Sequence, residues 1–290
     1  MTNLEKLIKK RQKLIEHLHD LTAAELKVLE KDLLKLILSE AASIFKTVDG
    51  KLVFDTNNIR GIRKIDLVME QFKESDMIPF VKDFAEKSMQ VVAMTGTYYK
   101  GLGFAENKID DLLKNFAYLE QALGIEIGKT LAGSKIVAGS FLDTLATMPE
   151  VKERLKQYTL NQIAGKQSFD GFLKGYKEIL VDNELASKYI KRYAWDTFNN
   201  IQAAADLFVA ESLDLKHFVY SGDTINTTRD FCLERAGQVF TVENAEDWNS
   251  EEWQGKIPGI PFFIQRGGYN CRHEIDFISE ELYNQMNKND

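Results

Sequence analysis

Proline is scarce, at 4 of 290 residues, and a chain with so few helix breakers can run long helices. Cysteine is scarcer still, with only 2. That excludes the disulfide framework of a small secreted domain and suits a reducing compartment. Positive charge is not in excess: the net charge is −7 and the pI near 5.3, so the chain as a whole carries no electrostatic footprint for nucleic acid. No apolar run approaches the roughly 18–20 residues of a membrane span, and Met1-Thr2-Asn3-Leu4-Glu5-Lys6 lacks the apolar core of a signal peptide. The expectation is synthesis in the cytoplasm with no membrane association. An apolar fraction of 44% and a charged fraction of 28% are those of an ordinary globular chain, which excludes disorder and fibrous repeats.

What is present is helical periodicity. Leu4, Leu7, Ile8, Leu14, Ile15 and Leu18 recur at the spacing of one helix face. Thr22-Ala23-Ala24-Glu25 has the form of a capping box, so a second helix is expected to begin there, with Leu26, Leu29, Leu33, Leu36 and Ile37 as its stripe. Asp49-Gly50 marks a turn, followed by a short extended piece at Leu52-Val53-Phe54-Asp55. Further helices are read through 59–120, with an inter-helix turn at Gly101-Leu102-Gly103. This stretch lacks both the third glycine of a dinucleotide fingerprint and the Gly-Lys-Ser/Thr of a nucleotide loop. Residues 119–150 are rich in small residues, among them Gly124, Gly128, Gly133 and Gly139. A helix is expected over 151–164, another capped by Ser168, and a long one from Glu184 to about Leu213 whose aromatics, including Tyr189, Trp195, Phe198 and Phe208, read as core.

After Leu213 the period changes from that of a helix to that of strands. Strands are expected at His217-Phe218-Val219-Tyr220, at 238–242, at 260–265 and at 269–275. The expected fold is α+β and predominantly α: a long-helix N-terminal part followed by a small mixed C-terminal domain. The organisation is read as a helical region 1–115, a second helical region 116–215 ending in the long helix, and a small domain 216–290.

That last segment holds the residues able to carry chemistry. Cys232, Cys271 and His273, with His217 as a fourth candidate, offer thiolate and imidazole ligands for Zn²⁺, which would clamp a domain too small to rest on its core alone. The one-residue spacing of Cys271-Arg272-His273 is shorter than the usual separation of about two to four residues. Reduced packing cysteines and a Cys232–Cys271 disulfide are the alternatives. A thiolate activated by a neighbouring base would serve nucleophilic catalysis, with Asp223, Asp230 and Glu274 close in sequence, but no cysteine-hydrolase signature surrounds either thiol. Arg229 and Arg272 suit either a bound anion or the tying down of a loop. The acidic run 243–252 around Trp248 and Trp253 fits no EF-hand and reads as a solvated loop anchored by its tryptophans.

The order of these features resembles the phage head-morphogenesis family, the minor head proteins similar to protein F of phage Mu. The resemblance rests on Tyr220-Ser221-Gly222-Asp223, Thr227-Thr228-Arg229-Asp230-Phe231-Cys232, Gly237-Gln238-Val239-Phe240 and the closing Gly267-Gly268-Tyr269-Asn270-Cys271-Arg272-His273. Asp223, Thr228, Arg229, Cys232, Asn270, Cys271, Arg272 and His273 occupy the family's motif positions. Trp195-Asp196-Thr197 stands where members often carry Arg-Thr. The resemblance covers 165–280 and implies a non-enzymatic, low-copy structural protein. Such a protein assembles with the portal, capsid, other phage head proteins or scaffold in the host cytoplasm and then resides in the virion head, with packaged DNA as a further partner, and with ejection alongside the DNA and oligomerisation left open. The rival readings are a cysteine- or metal-dependent hydrolase of toxin-like character on a phage scaffold, and a nucleic-acid-binding accessory protein.

Overall fold

A computed structural model describes residues 2–116, 118–126 and 133–287, and the side chains of Leu119, Tyr189 and Arg192 lie outside that description. Gly128 and the ring of Tyr189, named above, therefore fall outside the described residues. The fold is α+β and predominantly α. It opens with α1 (Asn3–Ile44), a hairpin of β1 (Thr47–Val48) and β2 (Lys51–Leu52), α2 (Thr56–Phe72) and, after a π-turn over Lys73–Met77, α3 (Ile78–Gly101). Then come α4 (Glu106–Lys114), α5 (Tyr118–Leu123), a hairpin of β3 (Ile125–Glu126) and β4 (Lys135–Ile136), α6 (Phe141–Thr147), α7 (Pro149–Ala164) and α8 (Phe169–Lys177). A second π-turn, Glu178–Asp182, leads into α9 (Leu185–Ser212). The chain ends with β5 (His217–Ser221), α10 (Asp230–Leu233), β6 (Val239–Thr241), α11 (Val242–Glu246), α12 (Phe262–Gln265), β7 (Glu274–Ile278) and α13 (Glu280–Met286).

Two compact units share this chain discontinuously. One comprises Met1–Leu18, Lys87–Leu119 and Trp195–Asp290; the other comprises His19–Glu86 and Glu120–Ala194. In the second unit, Asp49 and Gly50 both adopt positive φ (50° and 71°), the turn that matches the twist of a two-residue hairpin. The Asp55 side chain caps α2 by accepting from the Asn58 amide. The fully buried Asn58 accepts from the Lys46 amide and donates to the carbonyls of Lys46 and Val53, which fixes the hairpin to the start of α2. Ser168 caps α8 as expected. Helix α2 packs on α7, and Tyr158 stacks on Phe172 at 5.9 Å, within an aromatic group that includes Phe45 and Tyr176.

The first unit holds the small sheet, of order β6-β5-β7 and antiparallel throughout. Its core is aromatic: Phe218, Trp248, Phe262, Phe263 and Phe277 meet edge-on or tilted at centroid distances of 4.7–6.1 Å, the arrangement the ring quadrupoles favour.

Three expectations about elements change. The capping box at Thr22 lies inside the continuous helix α1, where Thr22 is buried. Leu18, Thr22, Leu26, Leu33 and Ile37 form one buried stripe, and burial of that stripe outweighs the local signal. The strand expected over 260–265 is a turn and the short helix α12. Pro261, which lacks the N–H a ladder needs, stands at its N-terminus, and Arg266 closes it with φ 54°. The strand expected over 269–275 begins only at Glu274, because Gly268 (φ 87°) and Asn270 (φ 55°) hold 267–273 in a tight loop. No helix among the described residues is long and apolar enough to cross a membrane.

Candidate functional site

The site is built where the end of β5, α10 and the 266–273 loop converge within the first unit. Cys232 on α10, with Cys271 and His273 on the loop, bring their ligand atoms within 4.8 Å of one another, and all three residues are buried. Both cysteines are free thiols. The Cys271 sulfur is 3.8 Å from His273 Nδ1 and accepts backbone N–H bonds from Gly267 (3.3 Å) and His273 (3.4 Å). Two amides aimed at one sulfur stabilise it as thiolate. The thiol of Cys232 hydrogen-bonds this sulfur, and together with His273 and Arg266 it holds Cys271 well below the ordinary thiol range against the opposing effect of burial. The same bond, with burial, pushes Cys232 up. Of the two sulfurs, Cys271 is therefore the one whose ionised form the surroundings favour. His273 Nε2 has no hydrogen-bond partner among the described residues. A group with these donors can hold a metal ion.

The surrounding residues each have a mechanical part. Gly267 presses its Cα against the sulfurs: a Cβ there would overlap Cys232 Sγ and lie 2.8 Å from Cys271 Sγ. Arg229 donates to the carbonyls of Gly267 (3.2 Å) and Tyr269 (2.6 Å), fastening α10 to the loop. The Trp253 indole also donates to the Gly267 carbonyl, at 3.0 Å, while its ring stacks on Phe231 at 4.1 Å. Thr228 closes the turn before α10, its hydroxyl accepting from the Ile225 amide. The Asn270 amide donates to Asp196 Oδ1, and the Trp195 indole donates to the Cys271 carbonyl. Burial raises the Asp196 carboxyl, a rise that the Asn270 amide and Arg266 counter. So Trp195 and Asp196 themselves hold the loop. Asp223 and Arg272 are exposed and line a small cleft of about 60 Å³ with Trp195, Asn199 and Glu274. In the acidic run, Trp248 is buried and Arg235 lies over its ring at 4.6 Å while pairing with Glu251.

His217 does not join the cluster. It sits at the opposite end of β5, paired with Thr241 and Ile278 and stacked on Tyr283 at 4.0 Å. Strand alternation sets it on the other face from Tyr220, whose hydroxyl is 3.3 Å from Cys232 Sγ. Nor does Glu274 orient the imidazole. It accepts from Gln202 and faces Arg11.

That arginine opens a second constellation, one with no counterpart in the sequence reading. Arg11 is buried on α1 and pairs with Asp206 at 2.7 Å and with Asp276, with Glu274 at 3.8 Å. Its guanidinium lies 4.1 Å from the Tyr98 ring centroid. Ser221 donates to Asp276, and Tyr98 and Tyr99 donate to the carbonyls of Phe277 and Asp206. Three buried carboxyls share one cation, and burial raises them all, Asp206 to about 6 and Glu274 to about 7. The available signal was Arg11 itself, a charge on the helix face that carries Ile8, Ile15 and Leu18.

Comparison with protein-family models, with curated proteins and with solved structures returned no match.

Proposed function

We propose that this chain is a minor head protein of a tailed phage or prophage, with Cys232, Cys271 and His273 holding one Zn²⁺ that clamps its C-terminal module. The observation that carries the reading is convergence. Residues that resemble the family's motif, from Thr228, Arg229 and Cys232 to Asn270, Cys271 and His273, lie far apart in sequence yet fasten α10 to one loop around a buried cluster. Two thiols and an imidazole favour zinc over hard cations, which prefer oxygen. Cys232 and Cys271 are 2% and 4% exposed, which suits a clamp better than the accessible nucleophile a cysteine hydrolase needs. In this reading the module acts beside the portal, scaffold and other head proteins in the host cytoplasm and is retained in the virion, near packaged DNA.

Two measurements test the proposal. Mass spectrometry of density-purified particles from the source strain is expected to find the chain at a few copies per head; its absence from heads and from portal-containing assembly intermediates overturns the assembly role. Elemental analysis of purified protein is expected to find one zinc per chain, lost with a fall in melting temperature in Cys232→Ser, Cys271→Ser and His273→Ala. If instead these variants keep their stability and abolish a hydrolytic activity, the cluster is catalytic.

A further inference from the structure

A Cys₂His set supplies three ligands, whereas structural zinc sites are almost always four-coordinate. The geometry points to the Tyr220 hydroxyl as the fourth donor of this site, an inference that rests on the metal reading above. Tyr220 is fully buried at the end of β5, with its Oη 3.3 Å from Cys232 Sγ and 3.9 Å from Cys271 Sγ. Metal–sulfur bonds of about 2.3 Å and metal–nitrogen or –oxygen bonds of about 2.0–2.1 Å set a sulfur and a neighbouring nitrogen or oxygen ligand in a tetrahedron roughly 3.5–3.6 Å apart. The two Tyr220 distances straddle that separation, and the Cys271–His273 distance of 3.8 Å lies just beyond it. A Cβ built on Gly267 would lie within 3.4 Å of Cys232 Sγ, Cys271 Sγ and Tyr220 Oη, so all three atoms face the same stretch of loop backbone.

The hydroxyl is held in position. The Tyr220 ring stacks on His273 at 5.3 Å and 7° and on Phe262 at 6.2 Å, and β5 is paired on both sides, with the Tyr220 amide donating to the Gln238 carbonyl. A donor on a strand between two partners pre-organises the fourth position. With the phenol there, the site is closed and no water needs to complete it.

Coordination requires donor atoms free of their protons. Zn²⁺ entry displaces the protons of the two thiols and of the Tyr220 phenol to solvent, and no atom is oxidised or reduced. The site would then hold two thiolates, a phenolate and a neutral imidazole, a net charge of −1, with Arg266 and Arg229 as the neighbouring cations.

The test uses the full chain stripped with a chelator and titrated separately with Zn²⁺ and Co²⁺. On Zn²⁺ binding the wild-type chain is expected to develop the ultraviolet difference band of one tyrosinate, and its Co²⁺ complex an intense tetrahedral visible spectrum. Tyr220→Phe, which removes only the hydroxyl, is expected to lose the tyrosinate band, shift the Co²⁺ spectrum as water enters, and bind about 10–100-fold more weakly. A wild-type complex without the tyrosinate band, together with a superimposable Co²⁺ spectrum in Tyr220→Phe, overturns the assignment while leaving a Cys₂His site intact. A wild-type chain that takes up neither metal overturns the metal reading and the fourth ligand with it.

Discussion

Gly267 is the residue on which the cluster's spacing depends. Its backbone is not in the left-handed region that only glycine favours; what it contributes is the missing Cβ, whose place is taken by the two sulfurs. Gly267→Ala forces either the sulfurs or the loop to move, and overpacking of this kind costs about 1–3 kcal/mol. A chemical denaturation midpoint lowered accordingly, with weakened zinc uptake, is the expected outcome; unchanged stability would mean that the loop relaxes freely. Arg229→Lys is the milder counterpart. A lysine cannot span two carbonyls with a planar fork, so the variant is expected to lose about 1 kcal/mol while keeping all cluster ligands. At this scale Cys232, Cys271 and His273 were legible as one candidate group, because cysteine and histidine are rare enough here to stand out, whereas His217, grouped with them on the same ground, lies at the opposite end of β5. Tyr220 and Gly267 were not singled out as site residues, since one reads as a strand aromatic and the other as turn glycine until the loop is closed over the sulfurs.

Among the elements, α1 shows what periodicity conveys and where it misleads. The buried stripe was readable residue by residue, yet Thr22 lies on that stripe, so a short polar residue looked like a cap where it only interrupts an apolar row. Strands β5 and β6 were legible from their β-branched and aromatic content. Residues 260–275 were not: Pro261 and the positive-φ residues Arg266, Gly268 and Asn270 replace pairing with a loop whose amides serve a sulfur, a tertiary need that no local pattern announces. The same helix carries Arg11, whose partners lie 195 and 265 residues away, beyond any sequence window. Arg11→Ala would leave Asp206, Glu274 and Asp276 buried without their cation. Removing one member of a buried charge group typically costs about 3–5 kcal/mol, and the loss is expected in urea unfolding at pH 8, where the carboxyls must ionise. At pH 5, where protonation can relieve them, the loss is expected to be smaller; an equal loss at both pH values would assign Arg11 a packing role only.

For the molecule as a whole, the same group sets the pH dependence of stability. Asp206 and Glu274 keep their protons in the folded chain up to about pH 6 and 7, whereas unfolded they release them near the ordinary values of 3.8 and 4.5. Between roughly pH 4 and 7 the folded chain therefore binds more protons than the unfolded one. The linkage slope is negative there, so this contribution to stability is complete below pH 4 and declines as pH rises through 7. The groups facing Glu274 are Arg11, Asp276, Gln202 and Arg266. Of these, Arg11 and Arg266 favour its ionised form, Gln202 does so by hydrogen bonding, and Asp276 opposes it. Burial outweighs the favourable terms. Glu274→Gln keeps the shape and removes the titration, so the difference between variant and wild type isolates this group from every other, including Cys271. The two proteins are expected to unfold at the same urea concentration at about pH 3.5, where Glu274 is protonated in the folded and the unfolded chain alike, with the glutamine variant the more stable at pH 8. Parallel pH profiles would show that Glu274 ionises in the folded chain as readily as in the unfolded one, its burial fully offset by Arg11, Arg266 and Gln202.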